Sequence, residues 1–163
     1  MRLNKFYLPI FFLFCLFIAS CTNYNKTDIV KKMNTGLENE LIRTIYANDI
    51  QDVYEMTNSK HIEIWYYETD LNDDGYNDII TIVRSPLRSG SHGDSFDIWI
   101  NDGYGEYDEV SSVSVVKILA DNPEYNGKIY IANKKTNGFR NIDIKCDNDI
   151  NLMYENGKYR YGL

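Results

Sequence analysis

From Ile62 to the C-terminus the apolar residues recur at every second position, in runs bounded by Gly, Asn, Asp or Pro, and that period suits β-strands. Ile62, Ile64 and Tyr66 alternate with Glu63, Trp65 and Tyr67; Ile80 and Ile82 alternate with Thr81 and Val83; Phe96, Ile98 and Ile100 alternate with Asp97, Trp99 and Asn101. Further strands are predicted from Val113 to Leu119, Lys128 to Ala132, Asn141 to Cys146, Ile150 to Tyr154 and Lys158 to Tyr161. Asn156-Gly157 joins the last two and supplies the positive φ of a tight hairpin turn. Before Asn58 the spacing is three to four: Leu37, Leu41, Ile45, then Ile50, Val53 and Tyr54. That pattern predicts an amphipathic helix, a break at Asn48-Asp49 and a shorter second helix. The expected class is α+β, an N-terminal helix or helix pair leading into a mainly antiparallel sheet of about seven or eight strands.

The first residues have a different character. Arg2 and Lys5 precede an uncharged run from Phe6 to Ile18, followed by Ala19, Ser20 and Cys21. A basic start, a short apolar stretch and small residues make a cleavable export signal. The run falls short of the roughly 20 residues that span a bilayer. Ile18-Ala19-Ser20-Cys21 resembles the bacterial lipobox, which implies cleavage before Cys21 and acylation of its sulfur. Acyl chains contribute about 0.8 kcal/mol per buried methylene, so two or three anchor a protein firmly. The expected organisation is a signal peptide over 1–20, a lipidated flexible tether over 21–35 and one domain over 36–163. Thr22 after the cysteine resembles the outer-membrane default in diderm hosts; otherwise the outer face of the cell membrane is the expected location.

The mature portion would hold 143 residues with 15 basic and 24 acidic side chains, a formal charge of −9. Nothing in it forms the basic stripe that phosphate contacts require, so nucleic acid is not an expected partner. Of the three cysteines, Cys15 leaves with the signal and Cys21 carries lipid, which leaves Cys146 without an intramolecular partner. Alternation with Ile142 and Ile144 places Cys146 as a small buried hydrophobe; the other reading is a catalytic thiol aided by His61 or His92.

The segment with the most specific spacing is Asp70-Leu71-Asn72-Asp73-Asp74-Gly75-Tyr76-Asn77-Asp78. Alternate residues of a tightly curled loop point inward, and a hard cation such as Ca²⁺ takes six to eight oxygens. Asp70, Asn72 and Asp74 offer side-chain oxygens, Tyr76 its backbone carbonyl, and Asp78 closes the set directly or through water. Gly75 permits the reversal. Position 12, a bidentate Glu in an EF-hand, is Thr81 here, and strands flank the loop, so it is not an EF-hand. It resembles the calcium loop of FG-GAP and VCBS repeats, where D-L-N-G-D-G-x-x-D links two strands of a propeller blade; Asp73 stands where Gly is common. The order Trp65 to Asn72, then Ser89 to Gly93, Lys135 to Phe139 and Glu155 to Tyr159 is similar to small bacterial VCBS-like lipoproteins. The resemblance implies one blade-like β-rich domain with a structural Ca²⁺; it implies no substrate.

Ser89-Gly90-Ser91-His92-Gly93 lacks the lysine and helix of a phosphate loop and reads as a hairpin connection. Asp102-Gly103-Tyr104-Gly105 reads as a turn. A cluster of Tyr66, Tyr67, Tyr76 and Tyr104 could present one binding face. The leading functional expectation is a non-enzymatic binding or inhibitor module on the envelope, in one version an immunity lipoprotein, meeting an envelope or secreted protein. A carboxylate-dependent hydrolase of cell-wall or polysaccharide material, using pairs such as Glu63 with Glu68 or Asp108 with Glu109, is the second reading. A structural envelope component is the third.

Overall fold

The structure is a computed structural model that describes residues 28–30, 33–57, 62–89, 93–115, 129–145 and 149–162. The signal segment, Cys21, the first part of the tether, His61, His92 and Cys146 lie outside the described residues. Among the described residues no helix is long and apolar enough to cross a membrane.

The chain begins with β1 (Asp28–Val30) and β2 (Asn34–Thr35), a 3₁₀ turn (Gly36–Glu38), α1 (Glu40–Ile45) and α2 (Ala47–Thr57). It continues with β3 (Glu63–Thr69), β4 (Asp78–Arg84), β5 (Asp94–Asn101) and β6 (Tyr107–Val115). The last strands are β7 (Ile129–Thr136), β8 (Phe139–Ile144), β9 (Ile150–Glu155) and β10 (Lys158–Tyr161). They form two five-stranded sheets, ordered β2-β3-β4-β5-β6 and β1-β7-β8-β9-β10. Every pairing is antiparallel. The α+β, β-rich expectation holds, with the strands divided between two sheets instead of laid in one.

The division follows from what each face buries. Trp65, Ile80, Ile82, Phe96 and Ile98 of one sheet pack against Ile129, Ile131, Ile142, Ile144 and Leu152 of the other. The opposite face of the first sheet, with Ile64, Ile79 and Val83, packs under Ile42, Tyr46 and Val53 of the helical segment. The layers are therefore helix, sheet, sheet. A strand covered on both sides needs apolar residues at consecutive positions, and β4 runs Ile79-Ile80-Thr81-Ile82-Val83 with every one of them buried. Each such isoleucine contributes roughly 1.5 to 3 kcal/mol through burial.

Three departures from the sequence expectation have local causes. The span assigned to the tether contains β1 and β2, which pair with β7 and β3, and Met33 between them is buried in the inter-sheet core. Pairings of three and two residues are too short to leave a periodic signal. The helix break falls at Tyr46, not at Asn48-Asp49, and the longer helix is the second. Tyr46 turns its ring inward to full burial, while Asp49 sits in the first turn of α2, where a carboxylate suits the helix dipole. Strand β6 begins at Tyr107, well before Val113. A bulge opposite Ile98 and Trp99 inserts Val110 and interrupts its alternation. Val110 joins the core between the sheets, while Glu109 comes within 3.9 Å of Arg88 near the other face.

Asn39 caps α1 by accepting from the Ile42 amide, and Glu40 and Arg43 lie at its favourable ends. Gly36 fits between the layers because it lacks a Cβ, which would meet Ile42 Cγ2 at 2.8 Å and Ile64 Cγ2 at 2.9 Å.

Candidate functional site

The acidic loop joins β3 to β4, and backbone amides hold its curl. Asp70 Oδ1 accepts from the amides of Asn72 (3.2 Å) and Asp73 (2.6 Å), and its Oδ2 accepts from Gly75 (2.9 Å). Asn72 Oδ1 accepts from Asp74 N and Asp74 Oδ1 from Tyr76 N, so each alternate side chain nucleates the next turn. Leu71, fully buried, plugs into the inter-sheet core, and its carbonyl accepts from the Arg140 amide at 2.7 Å. Asp73 sits at φ 62°, the conformation that explains why glycine suits this position; an aspartate tolerates it. Its side chain leaves the loop to meet Lys135 and Arg140 of the β7–β8 hairpin, and the Lys135 ammonium holds the carboxyl below its ordinary range.

Asp78 is fully buried at the start of β4, with Oδ2 accepting from Leu71 N (2.8 Å) and Oδ1 from Asn101 N (3.0 Å). It staples the loop entrance to the end of β5. Burial pushes its carboxyl up to about 6, the two amides pull it down, and the charges of Asp74 and Asp70 add to the rise. The charges of Asp74 and Asp70 are thus felt at Asp78. As drawn in, the loop oxygens face backbone N–H groups, and among the described residues no set of three or more His, Cys, Asp or Glu is gathered to hold a metal ion. The donor set is nonetheless all oxygen, and an ionised carboxylate oxygen that accepts one N–H keeps a further lone pair. That chemistry fits a hard divalent cation and does not fit a transition metal. Asp70, Asn72, Asp74, the Tyr76 carbonyl and Asp78 are the groups that would hold it, and the ion would supply charge neutralisation and rigidity.

The other residues singled out from sequence do not come together. Tyr66 and Tyr67 are neighbours on β3 and so point to opposite faces. Tyr66 packs with the helix-side core and its hydroxyl accepts from Asn39, while Tyr67 packs against the inter-sheet core. Only Tyr76 and Tyr104 share a location, in the two loops at one end of the first sheet. Asp108 and Glu109 are likewise adjacent on β6 and project apart, and Glu63 is paired with Arg84.

A polar network escaped the sequence reading. Asp97, fully buried on β5, accepts from Tyr46 Oη (2.8 Å), Arg88 Nη1 (3.0 Å) and the hydroxyls of Ser95 and Ser112 (2.8 Å). Tyr46 Oη also meets Thr81 Oγ1 at 2.5 Å and accepts from Trp99 Nε1 at 3.0 Å. Arg88, from the β4–β5 connection, donates from Nε and Nη2 to the two carboxylate oxygens of Asp49 in α2 and lies 5.3 Å over the Tyr46 ring. Burial opposes the Arg88 charge, but Asp49 and Asp97 outweigh it and hold the guanidinium protonated; burial and Asp97 push the Tyr46 hydroxyl and the Glu109 carboxyl up. Both oxygens of Asp97 are taken by two donors each, and the arrangement docks the helical layer onto the sheet. The one signal in sequence is a polar residue, Thr81, Ser95 or Asp97, recurring inside otherwise apolar strands.

Comparison of the chain with known families, with curated proteins and with solved structures gives no match.

Proposed function

We propose that the chain is a membrane-anchored extracytoplasmic lipoprotein, tethered by lipid on Cys21, whose domain is a calcium-stabilised, non-enzymatic binding or inhibitor module. Ile18-Ala19-Ser20-Cys21 after a short apolar run supports the anchor. The observation that carries the calcium reading is the alternate spacing of oxygen-bearing side chains at Asp70, Asn72, Asp74 and Asp78 on one curled loop, whose turns those same side chains close. Burial first, and the charges of Asp74 and Asp70 after it, raise the Asp78 carboxyl. A divalent ion relieves that repulsion. The meander β3-β4-β5-β6, with the acidic loop between its first two strands, is the blade-like unit of the VCBS and FG-GAP resemblance, and the second sheet and the helices cover its faces. The partner is an envelope or secreted protein, and protection against an envelope-directed toxin is one form the role takes.

Cell fractionation of the full chain and of Cys21→Ala tests the anchor: the parent is expected in the membrane fraction and the variant in the soluble exported fraction. Capture of partners from envelope extract by the membrane-tethered parent, with calcium and then with chelator, tests the module. A partner recovered with calcium and lost by about tenfold with chelator supports the reading, a change equal to about 1.4 kcal/mol. Retention of Cys21→Ala in the membrane, or no partner under either condition, contradicts it.

A further inference from the structure

The two tyrosines at the loop end of the first sheet belong to the same tripeptide, Asp74-Gly75-Tyr76 and Asp102-Gly103-Tyr104. In both, the aspartate Oδ1 accepts from the tyrosine amide, at 2.8 and 2.7 Å. In both, the glycine holds a positive φ, 90° and 81°, which a side chain would strain. Asp102 Oδ1 accepts from Glu106 as well, at 3.1 Å, which closes the second turn. The antiparallel meander brings the turns together, because the β3–β4 and β5–β6 connections leave the sheet at the same end. Tyr76 lies across the second turn so closely that a Cβ on Gly103 would stand 2.9 Å from its ring. Tyr104 is nevertheless 94% exposed and Tyr76 50% exposed.

Two aromatic rings thus stand in water on neighbouring turns that side-chain hydrogen bonds close, with Asp102 and Glu106 alongside. Elsewhere the molecule closes this combination with an arginine. Arg84 lies 5.6 Å over Trp65 between Asp94 (3.0 Å) and Glu63 (3.5 Å). Arg88 lies over Tyr46 between Asp49 (2.8 Å) and Asp97 (3.0 Å). Among the described residues no arginine or lysine stands over Tyr76 or Tyr104. The ring faces and a carboxylate are both present there, and among the described residues no cation completes them.

We propose that the twin Asp-Gly-Tyr turns are a docking surface for arginine or lysine side chains of a basic protein segment. The proposal rests on the binding-module reading and names the chemistry of the partner. Charge complementarity brings the segment to an acidic end of an acidic chain, and cation–π contact fixes its register. Turns closed by hydrogen bonds reduce the ordering cost of each contact.

Fluorescence anisotropy of a labelled oligoarginine peptide, titrated with the full chain in detergent micelles, tests it. Substitution of both tyrosines by alanine leaves net charge unchanged, so nonspecific attraction to an acidic protein is the same in every variant. Two lost cation–π contacts weaken binding by about tenfold. Tyr76→Phe with Tyr104→Phe keeps the ring faces and is expected to bind like the parent. Tyr54→Ala removes a comparably exposed tyrosine of α2, one that lies between Asp52 and Glu55 in sequence, and is expected to have no effect. Equal binding by the double alanine variant and the parent, or an equal loss in Tyr54→Ala, overturns the proposal. Should that happen while envelope capture still recovers a partner, the module reading stands and a different face carries it.

Discussion

Asp97→Ala is expected to lower folding stability by about 3 to 5 kcal/mol, the range for removing one partner of a buried charge pair. The lost carboxylate accepts four hydrogen bonds, from the helical segment, the β4–β5 connection, β5 and β6, and its removal takes an acceptor from the Tyr46 hydroxyl and strands one guanidinium nitrogen of Arg88 in the interior. Those groups link α2 and the β4–β5 connection to the central sheet, so the variant should also release the helical layer first. The midpoint of a denaturant titration measures the loss, and amide exchange in Ala47–Thr57 reports the release. Arg88→Ala should cost a similar amount by leaving Asp97 charged and unpaired. The double variant should cost clearly less than the two losses together, because each single change already breaks the same network. A loss for Asp97→Ala of less than about 1 kcal/mol, the range typical of exposed ion pairs, would mean that water reaches this network.

The second large effect is a pH dependence set by Asp78. Its folded carboxyl titrates at about 6 instead of the ordinary 3.8, so the folded state binds the proton more tightly than the unfolded chain does. Proton binding therefore favours folding: the contribution is fully present below about pH 4 and is lost as pH rises through 6. The two titration points correspond to about 3 kcal/mol across that window. In chelator, thermal stability should fall between pH 4.5 and 7 by an amount of this order after correction for the other carboxylates. Asp78→Asn, which cannot titrate and still offers an acceptor for one of the two amides, should flatten the profile. Calcium reverses the balance, because an adjacent divalent charge favours the ionised carboxylate; the stabilisation it gives should grow as pH rises from 5 to 7. A profile for Asp78→Asn that parallels the parent would place the titration elsewhere.

What sequence conveyed and what it hid can be traced to particular residues. The alternation of Ile62 to Tyr67, Phe96 to Asn101 and Lys158 to Tyr161 located strands because aliphatic and aromatic residues recur at every second position between turn residues. The same alternation put Asp97 on the face opposite Phe96 and Ile98. It could not disclose that helices packed around Ile42 and Val53 cover that face, since burial on both sides is a tertiary property. β4 carried the clue, an unbroken apolar run around Thr81 that a one-sided sheet does not require. The number of sheets was hidden for a related reason: period two says that a strand has two faces and says nothing about which strands are neighbours. At the acidic loop the spacing of Asp70, Asn72, Asp74 and Asp78 exposed the donor set, but Leu71 as an anchor in the core and Asp73 as the contact to Lys135 and Arg140 depend on a hairpin more than sixty residues away. The two Asp-Gly-Tyr tripeptides were visible as text and became one surface only through the meander.

The central claim is that the loop from Asp70 to Asp78 closes on a hard divalent cation, and calcium-dependent melting of the full chain at pH 7 tests it most directly. Ligand at about a hundred times its dissociation constant stabilises the folded state by about 2.7 kcal/mol, which for a domain of this size raises Tm by about 5 to 10 °C. The account predicts that rise for the parent in calcium against chelator, and its loss when Asp70 and Asp74 are both replaced by Asn. An unchanged Tm with millimolar calcium, or a rise that the double variant retains in full, would contradict it.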